Sequence, residues 1–176
     1  MTLFRWNRVK TQRANGYATI EDFRRIFIEG TDELYQLSFL LTANPGKAER
    51  CFVAGLEESV RSNRVFKEWA RSWTKRVIIQ NAIRELRPSP PIVRSSSSVA
   101  LYSTDEPLNR DQHFELDRVL GLGDFDRFVF VISVLEHYSD QDCAMLLGCS
   151  SRQVAEARVR GFEQLTAPLL KSAEVS

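Results

Sequence analysis

The sequence predicts an all-α fold of two small helical domains. Apolar residues recur at helical spacing on both sides of a stretch rich in proline and serine, and no segment combines strand alternation with hairpin turns. Residues 87–111 contain four prolines and the serine run 95–98, so they cannot continue a helix. We therefore expect a first domain over residues 1–86, a flexible linker over 87–111 and a second domain over 112–176.

The composition is that of a soluble globular protein. The 176 residues are 43% hydrophobic and 27% charged, and no apolar run approaches the roughly 20 residues that span a membrane. The N-terminus is basic but lacks the apolar stretch of a signal peptide. We expect a cytoplasmic protein without membrane insertion. Its three cysteines predict neither disulfides nor a metal site, and no cofactor is expected.

The net charge of +1 conceals a strong asymmetry between the two halves of the chain. Residues 1–103 contain 17 Lys and Arg against 10 Asp and Glu, a balance of +7. Residues 104–176 contain 7 against 13, a balance of −6. The first half is therefore the better candidate for contact with DNA phosphates.

Four helices are predicted in the first domain. Thr19 followed by Asp22 has the pattern of a capping box, and the sequence Asn44-Pro45-Gly46 ends a helix. The predicted helices cover residues 20–28, 32 to about 43, 47–60 and, as the longest, 64–86. In the last of these, Trp69 and Trp73 fall on the apolar side, which favours packing over an exposed stacking surface.

The second domain is predicted to contain helices over residues 114–120 and 124–137, followed by two helices joined by a tight turn. Ser139 with Asp142, and Ser150 with Gln153, each form the pattern of a capping box. Gly148 between them permits the left-handed backbone that ends the first of the two helices. This pattern favours a DNA-binding helix-turn-helix. The alternative is an ordinary helical hairpin.

The second domain also resembles region 4 of the extracytoplasmic-function sigma factors. The resemblance lies in residues 125–130, in the pattern S-x-x-x-x-A-x-L-L-G-C-S from Ser139, and in Val154. In the first domain, residues 34–37, 40–41 and 44–49, with Phe66, Trp69 and Trp73, resemble region 2. In that family region 4 contacts the promoter −35 element.

This resemblance implies a transcription-initiation regulator that binds core RNA polymerase and promoter DNA, and it leaves an anti-sigma factor open as a further partner. The segment that matches the family's polymerase-docking stretch gives the docking candidates Glu49, Arg50, Phe52 and Val53, although most of the family's polar residues are replaced there. Two alternatives remain. One is a degenerate sigma-like interaction module that contacts little DNA. The other is a simple helix-turn-helix regulator whose first domain dimerises.

Two groups of residues are predicted to contact DNA. The second helix of the predicted helix-turn-helix is the recognition helix, which enters the major groove. Its candidates for contact with base edges and phosphates are Ser151, Arg152, Gln153, Glu156, Arg158 and Arg160. The long helix of the first domain is the candidate for contact with the promoter −10 element, and we call it the −10-like element. Its candidates are Arg64, Lys67, Arg71, Lys75 and Arg76. No catalytic triad or phosphate-binding glycine loop is present in the sequence, so an enzyme is not expected.

Overall fold

The structure is a computed structural model that describes residues 16–62, 64–91 and 116–173, with side chains as far as residue 166. Within these ranges the regular structure is helical, apart from one isolated antiparallel bridge between Tyr17 and Phe66. The predicted all-α class is confirmed. No helix in the described ranges is both long and apolar enough to cross a membrane.

The helices follow one another with short connections. In the first part of the chain these are α1 (Ile20–Glu29), α2 (Thr31–Thr42), α3 (Pro45–Arg61), a 3₁₀ turn (Lys67–Trp69) and α4 (Ala70–Leu86). In the second part, residues 116–120 are helical and are followed by α5 (Asp124–Phe130), a π-helical turn (Val131–Leu135), α6 (Asp140–Leu147) and α7 (Ser151–Ala173).

The chain divides into two compact units. Unit 1 comprises Met1–Phe39 and Asn44–Glu85, and unit 2 comprises Leu40–Ala43 and Leu86–Ser176. The sequence-based boundaries at residues 86 and 112 stay predictions, because residues 92–111 of the predicted linker lie outside the described ranges.

Side chains at the helix starts explain why the unit 1 helices begin where they do. Thr19 Oγ1 accepts a hydrogen bond from Asp22 N at 3.2 Å, and Asp22 Oδ2 accepts one from Thr19 N at 3.0 Å, so the predicted capping box is formed. Asn44 Oδ1 accepts from Lys47 N at 2.9 Å, with Pro45 at the first helical position. Caps of this kind stabilise a helix by about 1 kcal/mol.

Helices α3 and α4 pack at close range in unit 1. A Cβ atom on Gly55 would lie 2.6 Å from Ile78 Cγ1, so only glycine permits this approach. The same pair is joined on its surface by Arg50 with Glu85 and by Arg84 with Glu58, both at 2.5 Å. These contacts fix the second half of α4 against α3.

The predicted start of the long helix at Arg64 is wrong. Residues on either side of Phe66 hydrogen-bond in extended conformation to the segment before α1, with Ala18 N donating to Val65 O at 2.8 Å and Lys67 N donating to Gly16 O at 2.9 Å. The α-helix begins only at Ala70. Arg64 and Lys67 therefore lie before the helix on which we expected them.

In unit 2 the predicted apolar helix is buried, but its second half differs from the prediction. Every residue of α5 from Phe125 to Phe130 is buried. After Phe130 the helix widens into the π turn, and His137 adopts a positive φ of 58°. The predicted α-helix over 124–137 therefore ends at Phe130, where the π turn replaces it, and the left-handed His137 prevents any helix from continuing beyond that turn.

Candidate nucleic-acid interface

A group of exposed aromatic side chains lies at the start of α4. The rings of Tyr17 and Phe66 are stacked with centroids 4.7 Å apart, and Trp69 meets Phe66 edge-on at 5.5 Å. Trp69 is 60% exposed, and Tyr17 and Phe66 are also exposed. We call Tyr17, Phe66 and Trp69 the aromatic cluster. The backbone bridge between Tyr17 and Phe66 places these two residues opposite one another.

The two tryptophans lie on the surface, so the prediction that they pack in the core is wrong. Trp73 is 37% exposed, and its Nε1 donates to Ser62 Oγ at 3.1 Å. The buried side of α4 consists instead of Ala70, Thr74, Val77, Ile78, Ile79 and Ala82. Each tryptophan immediately precedes a residue of this stripe and is rotated by about 100° from it. The small residues Ala70 and Thr74 were the sequence signal that could have identified the buried side.

Carboxylates from α1 and α2 bind three of the five cations predicted for the −10-like element. Lys67 Nζ lies 3.0 Å from Asp22. Arg71 and Lys75 both pair with Glu33, the latter at 2.8 Å.

The remaining two predicted cations differ from these three. Arg64 is exposed and Arg76 half-buried, and neither forms an ion pair with any residue in the described ranges. They are therefore the members of the set whose charge is most available to an external phosphate.

The carboxylates in this network remain ionised at neutral pH. Hydrogen bonds from the Thr19 backbone and from Lys67 lower the pKa of Asp22 to about 2. Hydrogen bonds from Lys75 and Arg71 lower the pKa of Glu33 below its usual range. Both carboxylates are therefore fixed anions beside the cations.

The four polymerase-docking candidates lie on α3 in different environments. Phe52 is half-buried and meets Phe27 edge-on at 5.2 Å, whereas Val53 is 46% exposed. Glu49 is exposed, and Arg50 is paired with Glu85. Of the apolar candidates, Val53 is thus the one available at the surface.

Helices α6 and α7 are joined by the short turn that the sequence predicted. Ser139 Oγ accepts from Asp142 N at 3.1 Å at the start of α6. Gly148 has a φ of 65° and ends α6 in the left-handed conformation. Ser150 Oγ accepts from Gln153 N at 3.3 Å, and Gln153 Oε1 accepts from Ser150 N at 2.9 Å. Val154, on the first turn of α7, is fully buried.

The predicted base-contacting residues in the first turns of α7 differ in exposure and in hydrogen bonding. Ser151 and Arg152 are exposed. Gln153 is half-buried, and its carbonyl oxygen is occupied by the cap at Ser150, so it acts on the helix start. Glu156 accepts a hydrogen bond from Arg152 Nε at 2.8 Å.

The two predicted phosphate contacts of α7 are bound by carboxylates of the same unit. Arg158 makes two hydrogen bonds to the carboxylate of Asp140. Arg160 makes two to Asp126, at 2.7 and 3.2 Å, and Asp126 is buried. These pairs attach α7 to α6 and α5, so both arginines contribute to packing and their charge is partly neutralised.

The described residues offer little for metal or thiol chemistry. No group of three or more His, Cys, Asp and Glu side chains among them is arranged to bind a metal ion. Burial raises the pKa of the Cys51 and Cys143 thiols to about 11, and burial also raises that of Cys149. The cysteines are free.

Comparisons with known proteins give a likeness to solved structures but none to a protein family. No protein-family model matches the sequence, and no curated protein matches it. Among solved structures, the chain is similar to the sigma factor RpoE, in its co-crystal structure with the anti-sigma factor NepR from Bartonella quintana. The sequence identity is 18%, the match covers 85% of this chain and 97% of that chain, and the TM-score is 0.49.

Proposed function

We propose that this chain is a sigma-like regulator of transcription initiation that binds core RNA polymerase, an opened promoter strand and duplex DNA. The observation that carries the proposal is the exposed aromatic cluster at the start of α4, with Arg64 two residues before Phe66 and Arg76 seven residues after Trp69 in the chain. Three large rings at the surface are costly to leave in water unless a ligand covers them.

Single-stranded DNA fits such a surface better than duplex DNA does. Opened bases present flat π faces that stack on exposed aromatic rings, while nearby cations neutralise phosphates. In a duplex these faces are already stacked on one another. Trp69, the most exposed ring of the cluster, is the side chain we expect to contact a base.

The proposed contact with polymerase uses α3. Val53 projects into solvent, and neighbouring Phe52 is fixed by its ring contacts with Phe27 and Tyr35. An exposed apolar residue beside a fixed aromatic ring is typical of the centre of a protein interface.

The proposed contact with duplex DNA uses α6 and α7 as a helix-turn-helix. Both helix starts are capped, and α7 presents Ser151 and Arg152 in its first turn. In this motif the N-terminal residues of the second helix contact base edges in the major groove.

The proposal is tested with purified full-length chain and bacterial core RNA polymerase that lacks a sigma subunit. We expect co-elution on a sizing column and promoter-specific transcripts. Val53→Asp should abolish co-elution, because it inserts a charge into the proposed docking surface, while Trp69→Ala should keep co-elution and reduce transcription. Glu57→Ala, an exposed change on the same helix, is the control. Absence of co-elution by the unmodified chain would contradict the proposal.

A second candidate is a sigma-like interaction module that binds a protein partner but little duplex DNA. The pairing of Arg158 and Arg160 with carboxylates favours it, because cations bound in this way attract phosphate weakly. The exposed apolar residues Val159 and Phe162 on α7 favour it as well. Co-elution with polymerase, without promoter-specific transcripts or duplex binding, would support this candidate over the first.

A further inference from the structure

Arg152 and Glu156 form an ion pair across one turn of α7, on its solvent-facing side. Arg152 Nε donates to Glu156 Oε1 at 2.8 Å, while the side chains are 88% and 50% exposed. The two terminal nitrogens, Nη1 and Nη2, hydrogen-bond to no atom of the described residues.

We propose that Glu156 is a positioning residue for DNA specificity: it fixes the guanidinium of Arg152 through Nε, so that Nη1 and Nη2 are presented to a guanine in the major groove. This inference rests on the proposed binding of duplex DNA by α7. It assigns a favourable role to a carboxylate that by charge alone would only repel phosphate.

The geometry suits guanine because of the acceptors that this base presents. Guanine exposes N7 and O6 side by side in the major groove, and two adjacent N–H groups of an arginine match them. A guanidinium that is already oriented through Nε loses less rotamer freedom when it forms this pair. Glu156 itself accepts hydrogen bonds only, so it cannot compete for the same acceptors.

The surroundings leave Arg152 as the cation best able to reach a base. Among the described arginines of α7, Arg158 and Arg160 point their guanidinium groups at Asp140 and Asp126. Further along α7, Glu156 and Arg160 line a shallow depression together with the apolar side chains of Ala155 and Val159. Neither is bulky enough to prevent approach of a base-pair edge.

An ordinary solvated ion pair is the competing explanation. Exposed pairs at i and i+4 on a helix contribute little to stability, so their presence alone does not indicate a role. The two explanations differ in what happens when the carboxylate is removed. A carboxylate that only repels phosphate lowers affinity equally for every sequence, whereas a positioning residue changes the preference for guanine.

The test uses the full-length chain and a duplex selected from a random-sequence library at low salt. Each guanine of the selected site is then replaced by 7-deazaguanine, which lacks the N7 acceptor. The ratio of affinities for the two probes measures guanine recognition. We expect a ratio of about ten for the unmodified chain at one position, and a ratio near one for Arg152→Ala.

Three further variants separate positioning from repulsion. Glu156→Ala should lower the ratio to about two or three while raising affinity for the 7-deazaguanine probe. Glu156→Gln keeps an acceptor oxygen for Arg152 Nε and should retain most of the ratio. Glu163→Ala removes an exposed carboxylate two turns further along α7 that pairs with no described residue, and should raise affinity for both probes equally.

The outcomes distinguish this inference from the function on which it rests. A guanine preference that is unchanged in Glu156→Ala overturns the positioning role while leaving duplex recognition intact. Selection of duplexes that contain no guanine overturns the role of Glu156 alone, whereas failure of the unmodified chain to select any duplex overturns duplex recognition and with it the role of Glu156. A reduced ratio in Glu156→Ala that is restored in Glu156→Gln supports the inference.

Discussion

The start of α4 in unit 1 and the exposed face of α7 in unit 2 both carry arginines, but they differ in what surrounds those charges. At α4 the paired cations stand beside three exposed rings, and Arg64 and Arg76 have no partner among the described residues. At α7 the arginines that face α5 and α6 are bound by carboxylates, and Arg152 is bound by Glu156 on the same helix. The number of cations in a helix therefore differs from the number available to phosphate.

This difference suggests two kinds of contact with nucleic acid. An aromatic surface gains affinity from base stacking, which depends little on free charge. A helix whose cations are mostly paired must gain affinity from a few directional hydrogen bonds, which depend on side-chain orientation. We therefore expect unit 1 to depend on ring area and unit 2 on the geometry of one arginine.

The largest expected effect is on the aromatic cluster. Trp69→Ala should weaken binding of a single-stranded oligonucleotide by the full chain at least about fivefold, because one base–aromatic stack contributes about 1–3 kcal/mol. The thermal midpoint should change little, since the side chain is mostly exposed. Fluorescence anisotropy with a labelled oligonucleotide measures the affinity.

The control for this variant is Tyr35→Ala, which removes an exposed ring from α2, outside the cluster. It should leave single-strand affinity unchanged. Equal losses in the two variants would mean that exposed aromatic area in general, and not this cluster, carries the binding, and the comparison between α4 and α7 would lose its basis.

A smaller effect is expected when bound cations are released. Glu33→Gln removes the carboxylate that binds Arg71, so the salt dependence of single-strand binding should steepen by about 0.7 in the slope of log K against log salt. Asp140→Asn frees the single cation Arg158 on α7, so the slope for duplex binding should steepen by about 0.9. Titrations at several salt concentrations measure both slopes.

Glu21→Gln is the matched control for these slopes, since Glu21 lies in the first turn of α1 and pairs with no described residue. Its slope should equal that of the unmodified chain. Unchanged slopes in Glu33→Gln and Asp140→Asn would show that the released cations do not reach phosphate, so that pairing is not what distinguishes available from unavailable charge.

The features predictable from sequence are those set by residues a few positions apart. The capping boxes at Thr19 and Ser150 and the left-handed Gly148 were predicted, because each depends on neighbours within one turn. At Ser139 only the side-chain cap of the predicted box forms, with Asp142 N donating to Ser139 Oγ. The all-α class followed from apolar periodicity, which is similarly local.

The features that escaped prediction depend on partners far away in the chain. The start of α4 is set by pairing of residues 16–18 with residues 65–67, about 50 positions further on. Arg160 pairs with Asp126 across 34 positions, and Arg158 with Asp140 across 18. Periodicity in a single helix contains no information about such partners, so the availability of each cation could not be deduced from sequence.

Acid should weaken unit 1 through the carboxylate that binds Lys67. Because the folded pKa of Asp22 is about 2 and its ordinary value is 3.8, its ionised form contributes stability that is present above about pH 4 and is lost as pH falls towards 2. In Asp22→Asn the thermal midpoint should therefore fall less between pH 4 and pH 2 than it does in the unmodified chain. Circular dichroism melts measure this, with Glu21→Gln as control. If the midpoint of Asp22→Asn falls with acid as much as that of the unmodified chain, the loss of stability comes from other carboxylates, such as Glu33.

The smallest effect concerns the buried thiols, one in each unit, which report on how readily each unit opens. Cys51 in α3 and Cys143 in α6 are buried with pKa values raised to about 11, so alkylation at pH 8 requires local opening. We expect Cys149, which is half-buried, to react first, and the other two more slowly. Mass spectrometry of timed iodoacetamide reactions measures the order.

Asp126→Asn removes the buried carboxylate that binds Arg160 in unit 2, so it should accelerate labelling of Cys143 and leave Cys51 unchanged. If alkylation of Cys51 and Cys143 accelerates together, the two units open as one. The difference in charge pairing between α4 and α7 could then not be treated as a difference between independently opening units.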